Sequence, residues 1–165
     1  MAPQRVVILR HAEKPDDPSD PNLSPAGQAR AQMLAKLIPQ LFPNPNFLFA
    51  AAPSAESNRP VETLQPTADA LKMTLNASYA DGDYARLAGD LLSQPAYDGT
   101  LIIICWHHGH IPKLAKALGV ASSVVDSTPP VVDKKWDSTV FDRFWILDFS
   151  QAGVSLTSIL QVPPQ

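Results

Sequence analysis

The chain has 165 residues, 45% of them apolar, a formal net charge of −3 and one cysteine. This length suits a single domain with a genuine core, and the charge offers no basic face for nucleic acid. No apolar run is long enough to cross a bilayer, and one cysteine excludes an internal disulfide framework. The first fifteen residues lack the pattern of a secretory leader. The expectation is one cytoplasmic domain over residues 1–165.

In chain order, Val6 to Leu9 form a short β-branched run that predicts a strand buried on both faces. Arg10, His11, Glu13 and Lys14 follow at once, an arrangement that is costly unless these side chains line a site. After a loop rich in proline and aspartate, Ser24 and Pro25 open a helix whose apolar face is Ala29, Met33, Leu34, Leu37 and Ile38, and Pro39 is expected to stop it. Phe47 to Ala51 reads as a second strand. The next helix carries Val61, Leu64, Ala68 and Leu71, with Pro60 near its start and Pro66 expected to kink or divide it. Arg59 thus stands at a strand-to-helix junction. A brief edge strand is expected within 75–80, then a helix marked by Tyr84, Leu87 and Leu91.

Leu101 to Trp106 repeats the opening design: a buried strand followed by His107, His108, Gly109 and His110. A helix with Ile111, Leu114, Ala115 and Leu118 follows, ended by Gly119. Residues 120–139 read as a long irregular segment, and 140–149 with 154–162 as an antiparallel pair around Ser150–Gly153. Nine of the seventeen prolines cluster at 15–25, 39–45 and 129–130, where they are expected to stiffen loops. The pattern predicts a three-layer α/β/α sandwich with a mixed, mostly parallel central sheet. All four histidines follow the two apolar strands, so those strand ends are expected to be neighbours. In open α/β sheets, sites lie beyond the carboxyl ends of the strands.

The stretch LRHAEKP resembles the Arg-His-Gly signature of the histidine phosphatase superfamily, the phosphoglycerate mutase-like fold. LSPAGQARAQMLA is similar to its first helix, RPVETLQPTA to the element bearing its second arginine, and IICWHHGHI to the strand ending in its second histidine. These four elements occur in the family's order over residues 5 to about 118. The resemblance implies that His11 is the nucleophile, that Arg10 and Arg59 bind phosphoryl oxygens, and that His108, followed by glycine, is the second histidine. Glu13 and Lys14 are added as candidate phosphate-site residues, and Asp83 is favoured over Asp81 and Glu13 as proton donor. Ala12 stands where the signature has glycine, and no large insertion of the kind that covers the pocket in mutases is visible.

This residue set suits phosphoryl transfer without a metal or other cofactor. Arginine forks bind and orient the oxygens, a neutral histidine attacks phosphorus, and a donor meets charge developing on the equatorial oxygens. The amino end of the helix at Ile111 would add a partial positive charge. The expected activity is a phosphatase acting on a phosphorylated small molecule or a phosphoprotein, with neither nucleic acid nor membrane as partner. Oligomeric state is unreadable. Two other readings stand beside it: a phosphate-binding module with a degenerate centre, motivated by Ala12, and a zinc site at His107, His108 and His110.

Overall fold

A computed structural model describes residues 1–164. Its elements run β1 (Arg5–Arg10), α1 (Pro25–Leu41), β2 (Phe47–Ala50), α2 (Arg59–Leu71), β3 (Leu75–Asn76), α3 (Tyr84–Ser93), β4 (Leu101–Trp106), α4 (Ile111–Ala117), α5 (Ser122–Ser127), β5 (Val131–Val132), β6 (Lys135–Trp136), β7 (Arg143–Ser150) and β8 (Gly153–Leu160). Short 3₁₀ turns at Asp81–Asp83 and Pro95–Tyr97 flank α3.

Side-chain alternation along the apolar strands creates two cores. Val6 and Ile8 join Ile102, Ile104 and Trp106 beneath α3 and α4, which contribute Leu87, Leu91, Ile111 and Leu114. Val7 and Leu9 join Ile103 and Cys105 beneath α1 and α2, which contribute Leu34, Leu37, Ile38 and Leu64. A strand buried on both faces must be apolar at every position, and β1 and β4 are so throughout their interiors. The six-stranded sheet has the order β3-β2-β4-β1-β7-β8. Its first four strands are parallel, and β7 and β8 add an antiparallel edge. This is the expected three-layer α/β/α sandwich.

Several local expectations need correction. Pro39 lies inside α1 and Pro66 inside α2, neither ending nor dividing its helix. Both rings sit on half-exposed positions, and Pro39 falls in the last turn, where few carbonyls remain to be served. The edge strand after α2 is only Leu75–Asn76. The segment 120–139 holds α5 and the small hairpin β5–β6. The cap of α1 is as read: Ser24 Oγ accepts from the Gly27 N–H at 3.1 Å with Pro25 in the first turn. Among the described residues no helix is long and apolar enough to cross a membrane.

Candidate active site

Register brings the two histidine-bearing segments together. β1 pairs with β4 in parallel through Arg10 opposite Trp106, so the next residues along each strand are His11 and His107. The His11 N–H donates to the Trp106 carbonyl at 3.1 Å, extending the ladder by one rung. The His11 and His107 rings meet edge to face with centroids 5.3 Å apart.

His11 is 3% exposed, and its Nδ1 lies 2.7 Å from the Ala12 carbonyl oxygen. An acceptor at that distance places the proton on Nδ1 and leaves the Nε2 lone pair open. Burial, opposed by the Ala12 hydrogen bond and aided by the charges of Arg10, His107 and Arg59, pushes the His11 pKa down to about 3. The imidazole is therefore neutral at physiological pH, the form a nucleophile needs.

The charges of both arginines act on it, and main-chain carbonyls hold both. Arg10, 1% exposed, donates from Nη1 to the carbonyls of Ser138 (2.7 Å) and Val140 (3.2 Å). Its guanidinium carbon lies 3.8 Å from the centroid of the Phe141 ring, a cation–π contact. Its buried Nε has no hydrogen-bond partner among the described residues. Burial first, then the nearby Arg59 charge, lowers the Arg10 pKa to about 10. Arg59 donates from Nε to the Asn22 carbonyl (3.1 Å) and from Nη2 to the Asp20 carbonyl (2.5 Å). Fully buried Thr63 ties α2 to the nucleophile loop: its Oγ1 accepts from the Ala12 N–H at 2.8 Å and donates to the Arg59 carbonyl at 2.7 Å. Ala12 itself is absent from the positive-φ residues, so the glycine of the resembled signature is not demanded by backbone dihedrals here.

Other expected residues lie elsewhere. His108 lines a neighbouring cavity, and burial followed by the charges of Arg10 and Lys14 lowers its pKa to about 4. Asp83 points to solvent, with Arg86 3.4 Å away. The acid turned inward from the same 3₁₀ turn is Asp81, whose charge acts on both His107 and His108. The Trp106 indole N–H fixes that turn by donating to the Asp81 carbonyl at 3.1 Å. Glu13 is held bidentately by Arg30 at 2.8 and 2.9 Å. Burial would raise its carboxyl pKa, but the Arg30 hydrogen bonds prevail and hold it below the usual range. That pairing anchors the loop and keeps the Glu13 carboxylate charged. Lys14 is exposed at the site edge.

The three histidines of the second segment diverge. His107 faces His11, His108 faces the cavity, and His110 stacks on Tyr84 with centroids 4.9 Å apart. His110 Nδ1 lies 2.9 Å from Asp81 Oδ1 without hydrogen-bond geometry. Among the described residues, no three His, Cys, Asp or Glu side chains are placed to hold a metal ion. The segment 138–141 covers Arg10, while the β5–β6 hairpin walls a cavity of about 720 Å³ with His108, Lys113 and Trp136. Sequence reasoning preferred His108 to His107 and passed over Thr63, Gly27 and Arg30. Parallel strand register was the available signal for His107; the others depend on contacts formed only in the fold.

Comparison with solved structures yields full-length matches. The protein histidine phosphatase SixA complexed with tungstate superposes with a TM-score of 0.65 at 12% identity, covering 95% of this chain and 97% of that one. Mycobacterial glucosyl-3-phosphoglycerate phosphatase gives 0.63 at 12% identity, with coverage of 95% and 97%. Phosphoglycerate mutase from Plasmodium falciparum gives 0.59 at 14% identity, with coverage of 98% and 92%. No protein-family model and no curated protein matches the sequence. The chain has the fold shared by the histidine phosphatase superfamily.

Proposed function

We propose that this chain, built on the histidine phosphatase fold, is a metal-independent phosphohydrolase that acts on phosphate monoesters or protein phosphohistidine through a phosphohistidine on His11. The observation that carries this reading is the buried His11 next to Arg10, with its Nδ1 2.7 Å from the Ala12 carbonyl oxygen. Solved structures of the same fold include enzymes described as acting on each of these substrate classes, which supports both.

In the first step the His11 Nε2 lone pair forms a bond to phosphorus while the bond to the leaving oxygen breaks, and that oxygen takes up a proton. Arg10 and Arg59 neutralise and orient the phosphoryl oxygens. His107, on the strand end opposite His11, donates a hydrogen bond to the oxygens as their charge develops. Asp81 supplies the proton. In the second step water attacks phosphorus, its proton returns to Asp81, the P–N bond breaks, and inorganic phosphate leaves with His11 neutral again. A cytoplasmic location fits the lone Cys105 thiol, which burial holds protonated.

The test is labelling by a ³²P-phosphomonoester with an acid-free quench. The expected product is an acid-labile, base-stable phosphoprotein in the wild type and none in His11→Ala. Equal labelling of the two would remove His11 as nucleophile. In the same assay His107→Ala should lower turnover roughly 100-fold, the usual scale for loss of one such donor, and His108→Ala much less.

A further inference from the structure

We propose that β8 is a docking edge for a second copy of this chain. Two β8 strands pair antiparallel about a two-fold axis at Thr157 and join two six-stranded sheets into one. The inference is independent of the chemistry at His11.

The sheet ends in two unlike edges. β3 is two residues long, too short to template another strand. β8 runs for eight residues, Gly153–Leu160, and lacks the devices that blunt an exposed edge. Its sequence GVSLTSIL contains no charge and no proline. Its register with β7 is unbroken from Ser150↔Gly153 to Arg143↔Leu160, so no bulge turns it away. No helix packs extensively across it, and β8 meets the described fold chiefly through β7.

One bond fixes the direction of the free backbone groups. The Gln161 N–H donates to the Asp142 carbonyl at 2.8 Å, one step beyond the Arg143↔Leu160 pair. Hydrogen-bonded and non-hydrogen-bonded pairs alternate along an antiparallel ladder. Gly153, Ser155, Thr157 and Ile159 therefore bond to β7, while Val154, Leu156, Ser158 and Leu160 turn their N–H and C=O groups to the open edge. A two-fold at Thr157 uses all of these outward groups: Val154 faces Leu160 of the second copy, and Leu156 faces its Ser158. Moving the axis by one residue would pair one of them with a residue outside β8.

The side chains suit the same register. Val154 and Leu156 pack on the core beneath α3 and α4, and Ser158 and Leu160, at alternate positions, share that face. Leu160 is 49% exposed and Val162 62%. Pairing sets Leu160 beside the second copy's Val154 and Val162 toward its Ala152 in the β7–β8 turn, which extends one apolar row across the axis. On the other face, exposed Thr157 meets its own counterpart, a favourable cross-strand pair. The occupant is a second copy because the edge is self-complementary under a two-fold, and an uncharged strand offers nothing to steer a charged peptide. Eight residues a side is fewer than the roughly 20–30 of a standard interface, so the dimer dissociates on dilution.

The experiment uses the full chain. Sedimentation equilibrium from micromolar to millimolar concentration should show monomer and dimer in exchange. Thr157→Lys sets like charges directly opposite each other, and Ser158→Pro removes an outward N–H that β7 does not use. Each should raise the dimer Kd about tenfold or more and leave the circular dichroism spectrum unchanged. Thr157→Cys tests the axis. A non-hydrogen-bonded antiparallel pair has Cα atoms about 4.5 Å apart, within disulfide reach, so mild oxidation should link this variant into a dimer. The wild type, whose Cys105 is buried, should not be linked, and Ser155→Cys, which faces Ile159, should be linked far more slowly. A chain that stays monomeric at millimolar concentration overturns the proposal, as does a dimer whose Kd a folded variant leaves unchanged. Equal linking of Ser155→Cys and Thr157→Cys overturns the register.

Discussion

Replacing Thr63 by valine keeps its shape and removes one oxygen. That oxygen accepts from Ala12 and donates to Arg59, and both Thr63 and Ala12 are fully buried. The Arg59 carbonyl lies in the first turn of α2, where the helical ladder also uses it, so its loss is mild. Among the described residues the Ala12 N–H has no other acceptor. Stranding a buried donor costs about 1–3 kcal/mol. Because Ala12 adjoins His11, whose Nδ1 rests on the Ala12 carbonyl, the same change should disturb the nucleophile. Urea denaturation of Thr63→Val should show a loss of about 1–3 kcal/mol, accompanied by reduced turnover of p-nitrophenyl phosphate. Thr63→Ser keeps the hydroxyl and sheds a methyl worth about 0.8 kcal/mol, and its turnover should stay near wild type. If the Thr63→Val protein matches the wild type in stability and rate, or if the serine and valine replacements reduce turnover equally, the hydroxyl does not position the nucleophile loop.

Asp81→Asn should slow hydrolysis of an alkyl phosphate roughly 100-fold while sparing p-nitrophenyl phosphate, whose leaving group departs without a proton; Asp83→Asn should affect neither. Gly27→Ala gains up to about 1 kcal/mol of helix propensity, yet its new Cβ would collide with the Glu13 carbonyl and touch the Glu13 backbone N, so the variant should melt lower and turn over more slowly. The depressed pKa values of His11 (about 3) and His108 (about 4) mean that the unfolded chain binds protons first as pH falls. Stability should therefore be fully present above about pH 6.5 and decline toward pH 3, each site contributing a slope of at most about 1.4 kcal/mol per unit. Denaturation midpoints across that range should fall less steeply in His11→Asn. EDTA should leave turnover unchanged, and activity restored by zinc or magnesium after its loss would contradict the proposed chemistry.

The two cores were legible because β1 and β4 are apolar at every interior position and run into ionisable residues, Arg10 at the end of β1 and His107 just after β4. Their adjacency followed from the histidines, and the structure supplies the register. The following glycine favours His108 as the second histidine, whereas the ladder of β1 and β4 puts residue 107 opposite residue 11. Asp81 and Asp83 are two positions apart in one 3₁₀ turn. Which one turns inward depends on the Trp106 indole bond to the Asp81 carbonyl, a contact invisible in composition or periodicity. Glu13 looked free because its partner, Arg30, lies a loop and a helix turn away. The hairpin within 120–139 was hidden by the shortness of its strands, two residues each.

The way the two arginines are fastened has a consequence for handling the protein. Their hydrogen-bond partners are neutral carbonyls, so the guanidinium groups are held in place without an ion pair, and Asp137 and Glu13 offset the Arg10 charge only through space. Burial disfavours the charged form of Arg10, and the neighbouring Arg59 cation adds to that cost. An oxyanion bound there, as the proposed function requires, would relieve both in the folded state alone and so stabilise the fold. By mass action, phosphate at 100 times its Kd adds about 2.7 kcal/mol. The melting temperature should therefore rise with inorganic phosphate and with tungstate. Buffers free of oxyanions should leave the protein in its least stable form.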